Sequence, residues 1–220
     1  RADFDTASPR GKTVLNEPPS TRRYIEDDLP DAMVAIPGKD MRMKVTFRAR
    51  ECGFYDSRNE VRQGFHQDRV LQRDVKLRSF AIDLTPVTNA QYAEFLEASG
   101  FRPRHPENFL KHWQDGRPPR GKEDHPVVYV DLDDARAYAR WAGKRLPTEA
   151  EWQYAAQGPD AFDYPWGNEF TAGRANGGEG DATTAVTAFP DGRSPFGCYD
   201  MCGNTWEWTE TERSDGRTRF

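Results

Sequence analysis

Apolar residues first recur with a strand-like rhythm between residues 33 and 84. Met33-Val34-Ala35-Ile36 is an apolar run stopped by Pro37-Gly38, and Lys44-Val45-Thr46-Phe47-Arg48-Ala49-Arg50 alternates apolar with polar positions. The first pattern predicts a strand ended by a turn, the second a half-buried strand. Val75 to Leu84 continues in that style, with Val75, Leu77, Phe80 and Ile82 as expected core positions. The rhythm then becomes helical in three short, well-punctuated segments. Thr88 with Gln91 forms a capping box, and Tyr92, Phe95 and Leu96 share a face up to Gly100. Asp131 caps a second helix that carries Ala135, Tyr138 and Ala139 and closes at Gly143. Thr148 with Glu151 opens a third, in which Trp152, Ala155 and Ala156 precede Gly158. The alanines predict close helix packing against bulky partners, tryptophan rings among them. From Gly158 to Phe196 neither rhythm persists, which predicts a long irregular or ion-stabilised loop region.

Composition changes this picture at the edges. Residues 1–30 are polar, broken by Pro9, Pro18, Pro19 and Pro30, and carry the charge run Glu26-Asp27-Asp28. They are expected to be a linker or disordered segment ahead of one domain over 31–220. With 30% charged residues, 36% apolar residues, 18 Gly and 16 Pro, the chain suits a soluble, loop-rich protein with many turns better than a helical bundle. A net charge of −5 argues against a nucleic-acid footprint, and the short basic run Arg117-Pro118-Pro119-Arg120-Gly121-Lys122 does not alter that. No apolar run approaches the roughly 20 residues of a membrane span. The chain opens on Arg1, and both ends are expected to be cuts in a longer protein.

Cysteine and histidine offer little chemistry by spacing. Cys52, Cys198 and Cys202 are too few and too odd for a disulfide framework, and Cys198 and Cys202 lack CxxC spacing, so all three read as small buried hydrophobes. His66, His105, His112 and His125 show no metal-site spacing, and His112 and His125 read as hydrogen-bonded structural residues. Asp131, Asp133 and Asp134 sit at a helix start, where the macrodipole accounts for them.

The most informative stretch is Tyr199-Asp200-Met201-Cys202-Gly203-Asn204-Thr205-Trp206-Glu207-Trp208. Two tryptophans imply a turn packed into a core, and a carboxylate between them then needs a partner. Two readings fit the residues equally. In one, Asp200, the carbonyls of Gly203 and Thr205, and Glu207 supply oxygens to a calcium ion, which takes six to eight such ligands. In the other, Glu207 accepts backbone N–H bonds and Asp200 is solvated.

Gly143-Lys144-Arg145-Leu146-Pro147-Thr148-Glu149-Ala150-Glu151-Trp152 followed by Tyr154-Ala155-Ala156 resembles the central signature of the formylglycine-generating-enzyme (sulfatase-modifying factor) family. Met33–Gly38, Thr85–Tyr92, His125–Val128, Tyr164-Pro165-Trp166-Gly167, Pro195-Phe196-Gly197 and Gly203–Trp208 resemble further family segments in the expected order. The similarity runs from about residue 33 to 209 and resembles a bacterial-type domain. It implies an α+β fold, a C-type-lectin-like variant that is loop-rich with three short helices. It also implies a structural calcium at Asp200, Gly203, Thr205 and Glu207, and a second at Asn176, Gly177 and Asp181. Catalytic members use a cysteine pair as copper(I) ligands to oxidise a substrate protein's cysteine to formylglycine. That pair follows the Gly-Asn-x-Trp-Glu-Trp turn, whereas Cys198 and Cys202 precede it, and the sequence stops at Phe220. The chain is therefore expected to be a fragment with no catalytic residue of its own and a core incomplete around Trp206 and Trp208. Copper is implied only if the full-length parent is catalytic. Met41-Arg42-Met43-Lys44-Val45-Thr46-Phe47 also replaces the family's glycine-rich segment, pointing to a divergent subgroup, fused to or bound by a partner domain, or acting on a polypeptide. The alternatives are an active copper- and oxygen-dependent oxidase in the parent and a non-catalytic lectin-like binding module.

Overall fold

The computed structural model describes residues 29, 32–48, 68–178 and 182–211; the expected N-terminal linker lies outside them apart from Leu29. Four strands come first: β1 (Met33–Ile36), β2 (Asp40–Arg48), β3 (Asp68–Lys76) and β4 (Phe80–Asp83). They pair antiparallel as β1–β4 and β2–β3, with Ile36 opposite Phe80 and Asp40 opposite Lys76. The two ladders are nested parts of one long hairpin. Lys39 and Leu77 exchange both backbone hydrogen bonds (3.1 and 2.9 Å) between them. The expected strand over 75–84 is thus two strands with a break at residues 77–79. Pro37 has no N–H to give at that level. The chains also close to the point where a Cβ on Gly38 would lie 2.6 Å from the Leu77 carbonyl oxygen.

Three helices follow, α1 (Asn89–Ser99), α2 (Leu132–Trp141) and α3 (Glu149–Gln157). Each starts with a complete capping box, Thr88/Gln91, Asp131/Asp134 and Thr148/Glu151. α1 ends on left-handed Gly100 and α3 on Gly158, as their sequences predict. α2 ends one residue earlier than its glycine: Ala142 is the C-cap and Gly143 (φ 71°) takes the left-handed position after it. Beyond α3 the described chain contains a single short 3₁₀ turn, Pro190–Gly192, and otherwise irregular loop.

Two apolar clusters hold these pieces. One joins Ile36 of β1 to Tyr154, Ala155 and Ala156 of α3 and to Cys198 and Met201 of the long loop, with Phe196 and Trp152 at its margin. The bulky residues that share the alanines' cluster are Tyr154, Phe196 and Met201, with one tryptophan ring, Trp152, among them. The other cluster gathers Tyr92 and Phe95 of α1 with Leu110, Trp113 and Tyr138, whose ring stacks on Tyr92 at 5.6 Å. No described helix is long and apolar enough to cross a membrane.

Candidate functional site: the Asp200–Trp208 turn

The turn starts where the loop joins β4: the Tyr199 N–H donates to the Leu84 carbonyl at 2.7 Å. It ends against the helices, with Glu210 N–H donating to Pro147 O (2.9 Å) and the Glu210 carboxylate accepting from Arg136 Nε (2.8 Å). Between these anchors Asn204, at φ 59°, acts as a hub. Its N–H donates to Asn176 O (2.9 Å), its Nδ2 donates to Thr184 O and to Asp200 Oδ2 (2.8 Å), and its Oδ1 accepts from Thr184 N–H. Gly203 (φ 92°) lets the turn pass so close to the 176 strand of loop that a Cβ there would lie 2.4 Å from Asn176 O. Only glycine fits that combination of dihedral and approach.

Of the expected ligand residues, the fold brings Asp200, Gly203, Thr205 and Glu207 into this one turn. Asp200 is 9% exposed. Burial raises its carboxyl above the ordinary aspartate value, against the bond from Asn204. Glu207 is turned inward and accepts the indole N–H of Trp152 at 2.7 Å. Burial pushes its carboxyl up to about 7, the Trp152 bond opposing and the Asp200 charge adding to the rise. The two carboxylates thus share one field, and neither forms an ion pair with a described residue. The reading in which Asp200 is solvated and Glu207 accepts backbone N–H groups does not hold: Asp200 is buried and the partner of Glu207 is an indole.

Of the second expected set, the structure describes Asn176 and Gly177. The Asn176 carbonyl receives Asn204 N–H, its Nδ2 donates to Ala182 O (2.9 Å), and its Oδ1 faces Gly178 N–H at 3.4 Å. Gly177 is exposed and Asp181 lies outside the described residues. Asn176 belongs to the first turn as its supporting wall. Among the described residues no three or more His, Cys, Asp or Glu side chains converge. Oxygen ligands at the turn would come from two carboxylates plus backbone carbonyls, a hard-cation set rather than a transition-metal one.

Three sequence-based expectations need correction. The tryptophans do not pack the turn into a core: Trp206 is 102% exposed and Trp208 38%. Exposure alternates from Trp206 to Thr209, so a chain that turns Glu207 inward turns its neighbours outward. His112 is not hydrogen-bonded; both ring nitrogens are buried without a partner among the described residues, and burial followed by Lys122 lowers its pKa. His125 is bonded, to Thr183 Oγ1 at 3.0 Å. The cysteines are not all buried: Cys198 is fully enclosed and burial pushes its thiol up to about 11, but Cys202 is only half-buried. Cys52 lies outside the described residues.

Sequence reasoning missed Asn204 as the hub, Trp152 as the partner of Glu207, and the double use of Glu151. That carboxylate completes the α3 cap by accepting from Thr148 N–H (2.8 Å) and also receives two bonds from Arg145 (2.8 and 2.6 Å). Burial disfavours its charge, but Arg145 and the Thr148 amide hold it below the usual glutamate range. The Arg145-x5-Glu151 spacing inside the central signature was the available signal.

Residues 23–218 match the family model described as "Sulfatase-modifying factor enzyme 1-like domain". The chain belongs to the formylglycine-generating-enzyme family. It is 36% identical over 205 residues to the formylglycine-generating enzyme of Mycobacterium tuberculosis, covering 67% of this chain and 69% of that protein. It is 33% identical over 188 residues to the inactive Cα-formylglycine-generating enzyme 2 of Bos taurus, with 64% and 62% covered. It is also 41% identical over 154 residues to the serine/threonine-protein kinase pkn1 of Chlamydia pneumoniae, covering 66% of this chain but 24% of the kinase. The chain thus spans between about a quarter and about two thirds of the length of these relatives. The crystal structure of CarF superposes with a TM-score of 0.53 at 20% identity, over 82% of this chain and 80% of that one. The fold is accordingly the loop-rich α+β fold of this family, and the family includes proteins named as active and as inactive.

Proposed function

We propose that this chain is a calcium-pinned, non-catalytic binding domain of the formylglycine-generating-enzyme family, serving a larger protein on a lectin-like scaffold. What supports the non-catalytic reading is the likeness to a relative named as inactive; the two described thiols precede the turn and are not the pair that catalytic members use. Cys198 is sealed in the core among Ile36, Ala155 and Met201, and its pKa is raised; Cys202 is half-buried and raised too. A copper(I) site needs accessible thiolates. Neither group fits, so no residue of the described chain is assigned to oxidation.

Calcium does fit. The Asp200 charge adds to the rise of the enclosed Glu207 carboxyl, and Gly203 and Thr205, whose carbonyls would complete the set, lie between the two in sequence. A bound cation would neutralise that pair and fix the turn against Asn176. Relatives named as protein kinases, of which the matching segment is about a quarter, support a role as one domain joined to others. The test is a formylglycine assay on a cysteine-containing polypeptide using copper-loaded full-length protein. Absence of aldehyde product is expected; turnover would instead establish the alternative, an oxidase whose copper-binding cysteines lie outside the described residues.

A further inference from the structure

His112 is walled in without a partner. Both ring nitrogens are shut off from solvent, and neither meets a donor or acceptor among the described residues. Because they are already sealed, no further stretch of chain can supply the missing partner. The ring lies 5.3 Å from that of Tyr129 and 6.4 Å from that of Trp113, centroid to centroid. A neutral imidazole leaves one donor and one acceptor unpaired there. An imidazolium leaves two donors and a charge, which is costlier.

The charges facing this ring have one sign. Its own segment contributes Lys111, whose Nζ lies over the Tyr129 ring at 4.4 Å. Loop 117–122 contributes Lys122, whose charge opposes a proton on His112. The 126–130 segment contributes the Tyr129 ring. Among the described residues the histidine that meets a carboxylate is His105, with Glu107 at 3.8 Å; His112 meets none.

The contact beside His112 is strained. Leu110 N–H donates to the Tyr129 carbonyl at 2.9 Å, and both residues hold left-handed backbone, at φ 47° and 60°. Such residues persist only while their surroundings fix them, and the His112–Tyr129 ring contact is part of that support. The next residue is anchored elsewhere: Trp113 Nε1–H donates to Asn89 Oδ1 of α1 at 3.1 Å, so the His112 ring can leave without unpicking the core. We infer that His112 is an acid-released latch: when it takes up a proton its ring leaves this pocket, the Leu110–Tyr129 bond breaks, and the 108–113 loop parts from the 126–130 segment. The latch depends on neither the calcium nor the non-catalytic reading.

The sign follows from burial, which with Lys122 holds His112 below the ordinary histidine value of 6.5 in the closed form. The opened form takes up the proton first and gains population as pH falls below that value. Between about pH 7.5 and 5.5 one proton binding near 6.5 raises the opened fraction by at most about tenfold. Glu207 works the other way over this range. Its carboxyl is pushed up to about 7, so the closed protein takes up that proton first and gains stability. A local probe is therefore needed.

The experiment follows the full-length protein by NMR. The His112 ring is expected to titrate below 6.5. Exchange of the Leu110 amide, corrected for its intrinsic pH dependence, is expected to speed several-fold and at most about tenfold from about pH 7.5 to 5.5. His112→Phe keeps a ring against Tyr129 and removes the titrating nitrogens, so the acid response at Leu110 should vanish. Lys122→Gln leaves His112 in place and should move its titration toward 6.5, shrinking that response. A His112 titration at or above 6.5, a corrected Leu110 exchange rate that ignores pH, or an undiminished response in either variant overturns the inference.

Discussion

The indole N–H of Trp152, in the first turn of α3, donates to Glu207 Oε2 at 2.7 Å across 55 residues of sequence. One bond therefore joins the central family signature to the Gly-Asn-Thr-Trp-Glu-Trp turn. It also gives a buried acceptor a donor it would otherwise lack. Trp152→Phe keeps the ring and removes the N–H. In chelator, denaturant unfolding should show a loss of about 1–3 kcal/mol, the cost of a buried acceptor left unpaired. An unchanged midpoint would show the bond to be dispensable.

Calcium added in about hundredfold excess over its Kd should stabilise the fold by about 2.7 kcal/mol, which for a domain of this size raises Tm by roughly 5–10 °C over chelator. Glu207→Gln and Asp200→Asn should each remove most of that difference. Superimposable melting curves for the wild-type protein with calcium and with chelator would exclude a resident ion at this turn.

Gly203→Ala places a Cβ 2.4 Å from Asn176 O at a φ of 92°. It should destabilise by about 2 kcal/mol or more, since steric overlap and backbone strain act together. Gly143→Ala is the control: its φ is also positive at 71°, but nothing lies within 4 Å of the added Cβ. That change should cost about 1 kcal/mol. Equal losses at the two positions would mean that the close approach to Asn176 contributes nothing.

Acid stability should report on Glu151. Its pKa is held below the glutamate value of 4.5, so the unfolded chain takes up the proton first. The stability it contributes is complete above about pH 4.5 and is lost as pH falls through the lower folded value. Arg145→Met should flatten that acid limb and lower stability at pH 7 by about 1 kcal/mol, a modest figure because Arg145 is 46% exposed. A steeper acid limb in the variant would contradict the assignment.

Thiol labelling separates the cysteines. Cys198, enclosed and with a pKa near 11, should react with a thiol reagent at pH 7 only after unfolding, whereas Cys202 should react slowly in the native protein. Rapid native labelling of Cys198 would reopen the thiolate question.

The sequence by itself determined the local elements, because their causes are local. Each capping box joins residues three apart, so Thr88, Asp131 and Thr148 mark their helix starts without any partner. The ordered family segments carried the fold for the same reason, since each preserves its own turn or helix start. Tertiary structure decided the rest. No periodicity in 199–208 states which way a side chain points, so the outward tryptophans, the inward Glu207 and the Asn204 hub emerge only when loop 176–184 and α3 close on the turn. The break between β3 and β4 likewise follows from Pro37 and Gly38 lying across from residues 77–79, a pairing between strands far apart in sequence.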